Sequence, residues 1–357
     1  MSMDNQTLAE CLTDLPESPT ASDYRDAARA LLPYMETNVP PMGEGQSLDR
    51  LRLLSGVAHR DLGLARLIEG HLDATQILRE AGCTAESDKL YGIWASGGPA
   101  DTTDITGCAG GDQGSARLTG AKPFCSGSDI VDRALLYVYP AEQLLDVDMR
   151  GAGSRECLSF EAGQWRSAAF VETHTWSVRF EDFPLTEENR VGGPQWYFHR
   201  PGFCLGALAP AACWAGGATG LVDSLRQRKL NDGHARAHLG AMVSSVCSMN
   251  AMLRWGADQM DADPNNTSGT LFPSALLVRH HIERACTEVL DRFGRTLGPR
   301  PFAFEESNAR RIAELTLYIR QCHAERDLEE LGGYLEKHPQ FCSSSLMLSF
   351  PFYRADT

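Results

Sequence analysis

Arg117-Leu118-Thr119-Gly120-Ala121-Lys122-Pro123-Phe124-Cys125-Ser126-Gly127-Ser128 runs on through Asp129-Ile130-Val131-Asp132-Arg133 into Ala134-Leu135-Leu136-Tyr137-Val138-Tyr139. The order predicts a short strand, a Gly corner, a strand ending in an aromatic followed by a hydroxyl, a loop and a third, apolar strand, together an antiparallel meander. Alternation puts Phe124 and Ser126 on one face, and Gly127 leaves room for a ligand to approach the backbone. An aromatic plate beside a hydroxyl suits a flat heteroaromatic ring with polar edges. On the pattern alone, the plainer reading is that Phe124 is core and Ser126 begins a turn.

Outward from this stretch the period changes twice. Residues 1–90 read as helix: Asp23 precedes Ala27, Ala28, Ala30, Leu31 and Leu32, and Leu48 to Leu54 runs on toward Leu62, Leu64, Ala65 and Leu67. Pro40-Pro41-Met42-Gly43 divides this into two groups of helix, and Gly82 is a helix stop. His71 invites a role as a base, but a single His in an amphipathic helix reads first as a structural residue. From Tyr91 to about Gly193 strands and turns take over: Tyr91 to Ser96 stopping at Gly97-Gly98-Pro99, Cys157 to Phe160, Ala168 to Val171, and Trp176 to Phe180. Gly110, Gly111 and Gly114 read as a hairpin turn, since they do not lead a strand into a helix as a phosphate loop would. After Pro201-Gly202 the chain is helical again, with long helices predicted over 205–225, 237–260, 274–293 and 308–335. In the last, Ile312, Leu315, Ile319 and Cys322 step along one buried face.

Composition bounds the function. A chain of 357 residues with 43% hydrophobic and 22% charged residues can bury a substantial core in two or three units. Its 47 acidic against 33 basic side chains give a net charge of −14, which repels nucleic acid and anionic lipid, and no basic run offsets it. The first residues show no positive region followed by an apolar run, and nowhere do eighteen apolar residues follow one another. Eleven cysteines without a Cys-x-x-Cys pair read as reduced, mostly buried thiols. Together these features predict a cytoplasmic protein with no membrane span and no nucleic-acid partner.

The central stretch resembles the middle-domain motif of the acyl-CoA dehydrogenase superfamily, Gly-x-Lys-x-aromatic-x-Thr/Ser leading to a small-residue turn and an Ala that opens the next strand. Gly120, Lys122, Phe124, Ser126 and Ala134 take those places, with Phe124 where the family has Trp. Trp176 to Phe180, followed by Glu181-Asp182-Phe183-Pro184-Leu185 and then Val191-Gly192-Gly193, is similar to the exit of that domain. The resemblance covers nearly the whole chain. It implies an α+β fold: an N-terminal α-helical domain over 1–90, a middle antiparallel β domain over 91–195 and a C-terminal four-helix bundle over 196–357. It also implies an FAD-dependent oxidoreductase that dehydrogenates an acyl thioester, carried on CoA or a carrier protein, with an electron-transfer partner and a homodimeric or homotetrameric assembly. A flavin-dependent monooxygenase on the same fold and a catalytically silent relative are the rival readings.

A flavin dinucleotide needs a ring platform, donors at the ring edge, and cations or helix N-termini for its pyrophosphate. The resemblance assigns platform and edge to Trp94, Ala95, Ser96, Phe124, Cys125 and Ser126. It assigns the pyrophosphate to Arg226, although Gln227-Arg228-Lys229-Leu230 lacks the family's Phe-Gly, and to Arg295 with Gly298, where Arg replaces the usual Gln. Neither family position for the catalytic Glu is matched. The first lies in Ala207-Leu208-Ala209-Pro210-Ala211, without a carboxylate; the second falls at Cys322 or His323. His323, with Glu325 as substitute or orienting partner, is therefore the expected acid-base group. His323 and Asp327, four apart, do not amount to a metal site.

Overall fold

The computed structural model describes residues 3–96, 103–106, 116–339 and 341. Gly97-Gly98-Pro99 and the glycines at 110, 111 and 114 lie outside them. Four helices come first: α1 (Met3–Asp14), α2 (Ala21–Asn38), α3 (Ser47–Arg60) and α4 (Leu62–Glu80). A capping box starts α2, where the Asp23 carboxylate accepts the Thr20 N–H at 2.8 Å and the Thr20 hydroxyl accepts the Asp23 N–H at 3.3 Å. Pro40 to Gly43 separates α2 from α3 as expected. Between α3 and α4 there is only Asp61, whose carboxylate caps α4 through the Leu64 N–H at 2.9 Å and pairs with Arg310 at 2.7 Å. Gly82, at φ +73°, follows the end of α4.

The strands are β1 (Tyr91–Trp94), β2 (Thr103–Thr106), β3 (Ala116–Cys125), β4 (Arg133–Val138), β5 (Gln143–Asp148), β6 (Leu158–Glu161), β7 (Trp176–Leu185) and β8 (Arg190–Val191), with the short helix α5 (Ala152–Glu156) between β5 and β6. They form two four-stranded sheets, β1-β4-β5-β8 and β2-β3-β7-β6. This corrects the meander: residues 116–125 are one strand, and β3 and β4 lie in different sheets. Gly120, at φ 132°, bulges the strand instead of ending it. The turn closed by the Ile130 N–H on the Gly127 carbonyl, at 2.8 Å, carries the chain across to the other sheet. Buried Lys122 ties the sheets together, its ammonium donating to the Tyr137 carbonyl at 2.9 Å. The β region is also not wholly antiparallel. β1 and β4 run parallel, because Asp132 and Arg133 pin their starts side by side: the Asp132 carboxylate accepts the Leu90 N–H at 2.8 Å and the Leu90 carbonyl accepts both following N–H groups. Ala168 to Val171 forms turns, not a strand.

The remaining helices are α6 (Trp196–His199), α7 (Gly202–Gly206), α8 (Leu208–Arg226), α9 (Gly233–Ala262), α10 (Leu271–Leu297), α11 (Arg300–Ala303), α12 (Glu306–Tyr318) and α13 (Glu325–Lys337). The predicted fourth long helix is thus two, broken at Cys322-His323-Ala324, with Ala324 at φ +52°. α8 is the bundle's central rod and packs against α3, α9, α10 and α12. Residues 202–226 are apolar enough to cross a membrane by length and composition, but 78% of that window is buried inside the protein. The Ala215-Gly216-Gly217-Ala218 run gives close approach within the chain: a Cβ on Gly216 would stand 2.1 Å from the Ser55 carbonyl of α3. Nine cysteines fall among the described residues; all are free, and five are buried.

Candidate functional site

α4 is buried on most sides: Arg79 in its last turn is exposed, but Arg66, Glu69 and Asp73 are held largely away from bulk water. Arg66, Glu69, Gly70 and Asp73, spaced by three and four, share one face of it. That face meets the ends of β1 and β3 and the break after α12 around two adjoining cavities. The inner, of about 160 Å³, includes Glu69, Asp73, Tyr197 and Pro210 in its walls. The outer, of about 370 Å³, includes Trp165, Phe170, Leu317, Tyr318 and His323. Arg66, Ser96, Phe124, Ser126 and Gln321 line both.

Phe124 is the aromatic plate. Its backbone sits at φ +58°, a conformation rare for a bulky residue, and its ring is 55% exposed with Trp165 edge-on at 6.2 Å. A backbone bent this way, at the shift in register between β3 and β7, aims the ring outward instead of into the core. Ser126 is the hydroxyl, and it receives two donors: Arg66 Nε at 3.0 Å and the Thr175 hydroxyl at 3.3 Å. Arg66 is the hub. It reaches Glu69 at 3.2 Å and the Tyr318 oxygen at 3.4 Å, lies 5.0 Å from the Tyr318 ring centre, and, with the Gln321 amide turned oxygen-inward, donates to it from both terminal nitrogens at 3.0 Å.

Glu69 is the group best placed to exchange a proton. It is 7% exposed on its side chain and accepts from the Tyr318 hydroxyl at 3.4 Å. Burial pushes its carboxyl up to about 7, outweighing the nearby Arg66 and helped by the charge of Asp73. Asp73 is raised too, again by burial, and its ionic contact among the described residues is Arg200 at 3.9 Å. Beneath the same site the Tyr318 phenol is held well above its ordinary value, by burial first.

The structure brings together part of the predicted set. Ser96, Phe124, Ser126 and His323 line the outer cavity, and Ala95 the inner one. Trp94 is buried and its indole N–H donates to the Ser126 carbonyl at 3.0 Å, so it buttresses the strand end from behind. Cys125 points into the core, its thiol on the Lys122 carbonyl at 3.2 Å. Gly127 leaves no opening for a ligand: a Cβ there would meet Leu67 and Val131 at 2.9 Å, so α4 fills the space. Glu325 is exposed in the first turn of α13 and lines neither cavity, because the helix breaks before it. The partner that His323 has is Asp327, whose carboxylate accepts its backbone N–H at 3.0 Å and meets its Nδ1 at 3.1 Å. Arg226 and Arg295 stand on the surface, each 63% exposed and paired with Asp223 or Asp291 of its own helix. Gly298, at φ +64°, ends α10. His71 accepts the Tyr91 N–H at 3.2 Å and does not line either cavity.

Arg66, Glu69, Asp73, Tyr318 and Gln321 were not among the residues predicted from sequence. A signal was present: charged residues at a three-four spacing inside a helix that is apolar over most of its surface.

No protein-family model matches the chain, and no curated protein sequence matches it. Solved structures do. The dibenzothiophene monooxygenase TdsC from Paenibacillus sp. A11-2, in complex with FMN and indole, superposes with a TM-score of 0.74 at 16% identity, over 94% of this chain and 97% of that one. Methanesulfinate monooxygenase MsuC from Pseudomonas fluorescens gives 0.70 at 17% identity, over 98% and 97%. Butyryl-CoA dehydrogenase from Megasphaera elsdenii gives 0.71 at 13%, over 94% and 99%. Matched from end to end by monooxygenases and by a dehydrogenase alike, and built in the same order of helices, strands and helices, the chain has the acyl-CoA dehydrogenase fold.

Proposed function

We propose that this chain is a flavin-dependent oxidoreductase and that it oxygenates a small substrate. The observation that carries the reading is the outward-turned Phe124 beside Ser126, with the half-buried Arg66 guanidinium on the Ser126 hydroxyl. A tricyclic ring system needs flat apolar walls and donors at one edge. Phe124, Trp165, Phe170 and Tyr318 supply the walls, and Ser126, Thr175 and Arg66 the edge. The outer cavity, at about 370 Å³, is within the size range of small-molecule sites. A bound flavin supplies two-electron transfer and, when reduced, activation of dioxygen. Around it Arg66 stabilises negative charge at the ring edge, Glu69 and Tyr318 hold a proton, and the walls exclude water.

Oxygenation is preferred to thioester dehydrogenation because of the inner cavity. An alkyl chain entering it would strip water from Arg66, Glu69 and Asp73 in a space of about 160 Å³, without replacing any hydrogen bond. Dehydrogenation of a short acyl thioester on CoA or a carrier protein is the second reading, and the raised Glu69 carboxyl is the observation in its favour, as a base for proton abstraction.

The cofactor is proposed to be FAD. Arg226 and Arg295 are exposed and, among the described residues, paired within their own helices, so each can meet a phosphate from outside the chain; that arrangement goes with a homodimer or homotetramer. His323 is kept as a second proton-transfer candidate at the outer cavity. The division at 1–90, 91–195 and 196–357, a cytoplasmic location and an electron-supplying protein partner belong to the same reading.

Three measurements test it. The purified protein is expected to carry or take up a flavin; a colourless protein that takes up neither FAD nor FMN overturns the proposal. Anaerobic addition of a panel of acyl-CoAs is expected to leave the flavin spectrum unchanged, and bleaching would move the assignment to the second reading. Phe124→Ala is expected to weaken flavin binding by about tenfold, from the loss of a ring contact worth about 0.5–1.5 kcal/mol beyond its area, measured by fluorescence titration.

A further inference from the structure

α4 carries a second polar set on the face turned away from the cleft. There His71, Thr75, Gln76 and Arg79 border a separate cavity of about 260 Å³, whose far side is made by Arg50 of α3 and the apolar residues Met35, Val39 and Pro41. Two of these side chains are more than nine-tenths buried and carry donors that no described residue accepts. Arg50 is 5% exposed; one terminal nitrogen donates to the Leu72 carbonyl at 2.5 Å, Nε has no partner, and among the described residues no carboxylate oxygen is within 4.0 Å of the guanidinium. His71 is 4% exposed. Its Nδ1 accepts the Tyr91 N–H at 3.2 Å, so the neutral ring carries its proton on Nε2, which makes no hydrogen bond to a described residue.

A buried guanidinium without a counter-ion in contact is costly, and beside it the His71 Nε2–H has no acceptor among the described residues. The carboxylates that act on Arg50 most strongly, Asp73, Glu69 and Glu80, do so through space from α4. Burial, and then the charge of Arg50, push the His71 imidazole down to about 4, so the ring is a neutral donor near pH 7. One small anion would satisfy both groups.

We propose that this cavity binds the carboxylate of a small organic monoanion, its oxygens held by Arg50 and by His71 Nε2–H and its aliphatic body lying against Met35, Val39 and Pro41. The rest of the wall selects for a single charge. Glu36 and Glu86 also line the cavity, and Arg79 is already paired with Glu44 at 2.6 Å, so a second negative charge on the ligand would meet repulsion. The site is independent of the flavin assignment, because the two polar sets lie on opposite faces of α4.

The test is calorimetry and thermal unfolding of the full chain with sodium butyrate, butyramide or inorganic phosphate at matched ionic strength. Butyrate is expected to bind saturably and raise the unfolding temperature, and butyramide and phosphate to do neither. Arg50→Met is expected to abolish the butyrate response. Should that variant not fold, Ser87→Trp, at an exposed position on the cavity wall, is expected to block the site without disturbing the core. No saturable response to butyrate, an equal response to butyramide or phosphate, or a butyrate response that survives in a folded Arg50→Met or in Ser87→Trp would overturn the proposal. Loss of flavin binding would leave this result unaffected.

Discussion

Glu69→Gln is expected to lower turnover by about a hundredfold or more while flavin content stays at the wild-type level. The amide keeps the size and the contacts to Arg66 and the Tyr318 hydroxyl but can neither give nor take a proton. The effect belongs to chemistry because the cavity is otherwise intact, so it is read in kcat with little change in KM. Stability provides the second signature. The folded carboxyl, at about 7, lies above its ordinary 4.5, so the fold favours the neutral form. The corresponding stability is fully present below about pH 4.5 and is lost as pH rises through 7, to a total of about 3 kcal/mol. Urea unfolding across that window is expected to show a loss in the wild type that the Gln variant lacks. Wild-type turnover in the variant would move the proton transfer to His323.

The order of elements was legible in the sequence because it rests on periodicity. Residues stepping by three and four made α2, α3, α4 and the bundle helices visible, and Pro40 to Gly43 marked the break between α2 and α3. Pairing was not legible in the same way. Which strand lies beside which depends on contacts far apart in sequence, such as Asp132 with Leu90, and a meander is only the most local solution. The break after α12 escaped for a different reason. Cys322-His323-Ala324 contains neither Gly nor Pro, and Ala324 takes a positive φ there because the Asp327 carboxylate accepts the His323 N–H and Tyr318 and Ile319 are fixed in the core.

The site was half legible. Phe124, four residues past Gly120, is in β3 and Ser126, six past it, directly follows the strand, so a local motif carries them. Arg66, Glu69 and Asp73 are charged residues in a helix, and charge in a helix is ordinarily read as the solvent side. Only the neighbours of α4 show otherwise: α2, α3, α8 and β1 pack against the helix and turn these three residues toward the cavity. Cys125 shows the converse: adjacency to Phe124 and Ser126 in sequence put it among the ring contacts, but the alternation of a strand turns it to the core.

Gly216→Ala is expected to destabilise the protein by more than about 3 kcal/mol, although alanine is worth about 1 kcal/mol over glycine in a helix interior. The added Cβ would lie 2.1 Å from the Ser55 carbonyl oxygen and 2.8 Å from the Ala58 Cβ. The first of these atoms is backbone in the middle of α3, so it cannot swing aside as a side-chain tip would. Relief requires α3 and α8 to separate, and α3 is fixed at its far end by Arg311, which crosses Gly220 to donate to the His59 carbonyl at 2.6 Å and the Arg60 carbonyl at 2.9 Å. Separation would therefore open the contacts of α8 with both α3 and α4 together. Gly240→Ala is the matched control. Gly240 is on the exposed face of α9 with nothing within 4 Å of an added Cβ, so the same substitution is expected to stabilise by about 0.5–1 kcal/mol. Denaturant midpoints that move in opposite directions for the two variants would locate the cost in the α3–α8 contact. Equal midpoints would show that α8 has room the structure does not give it.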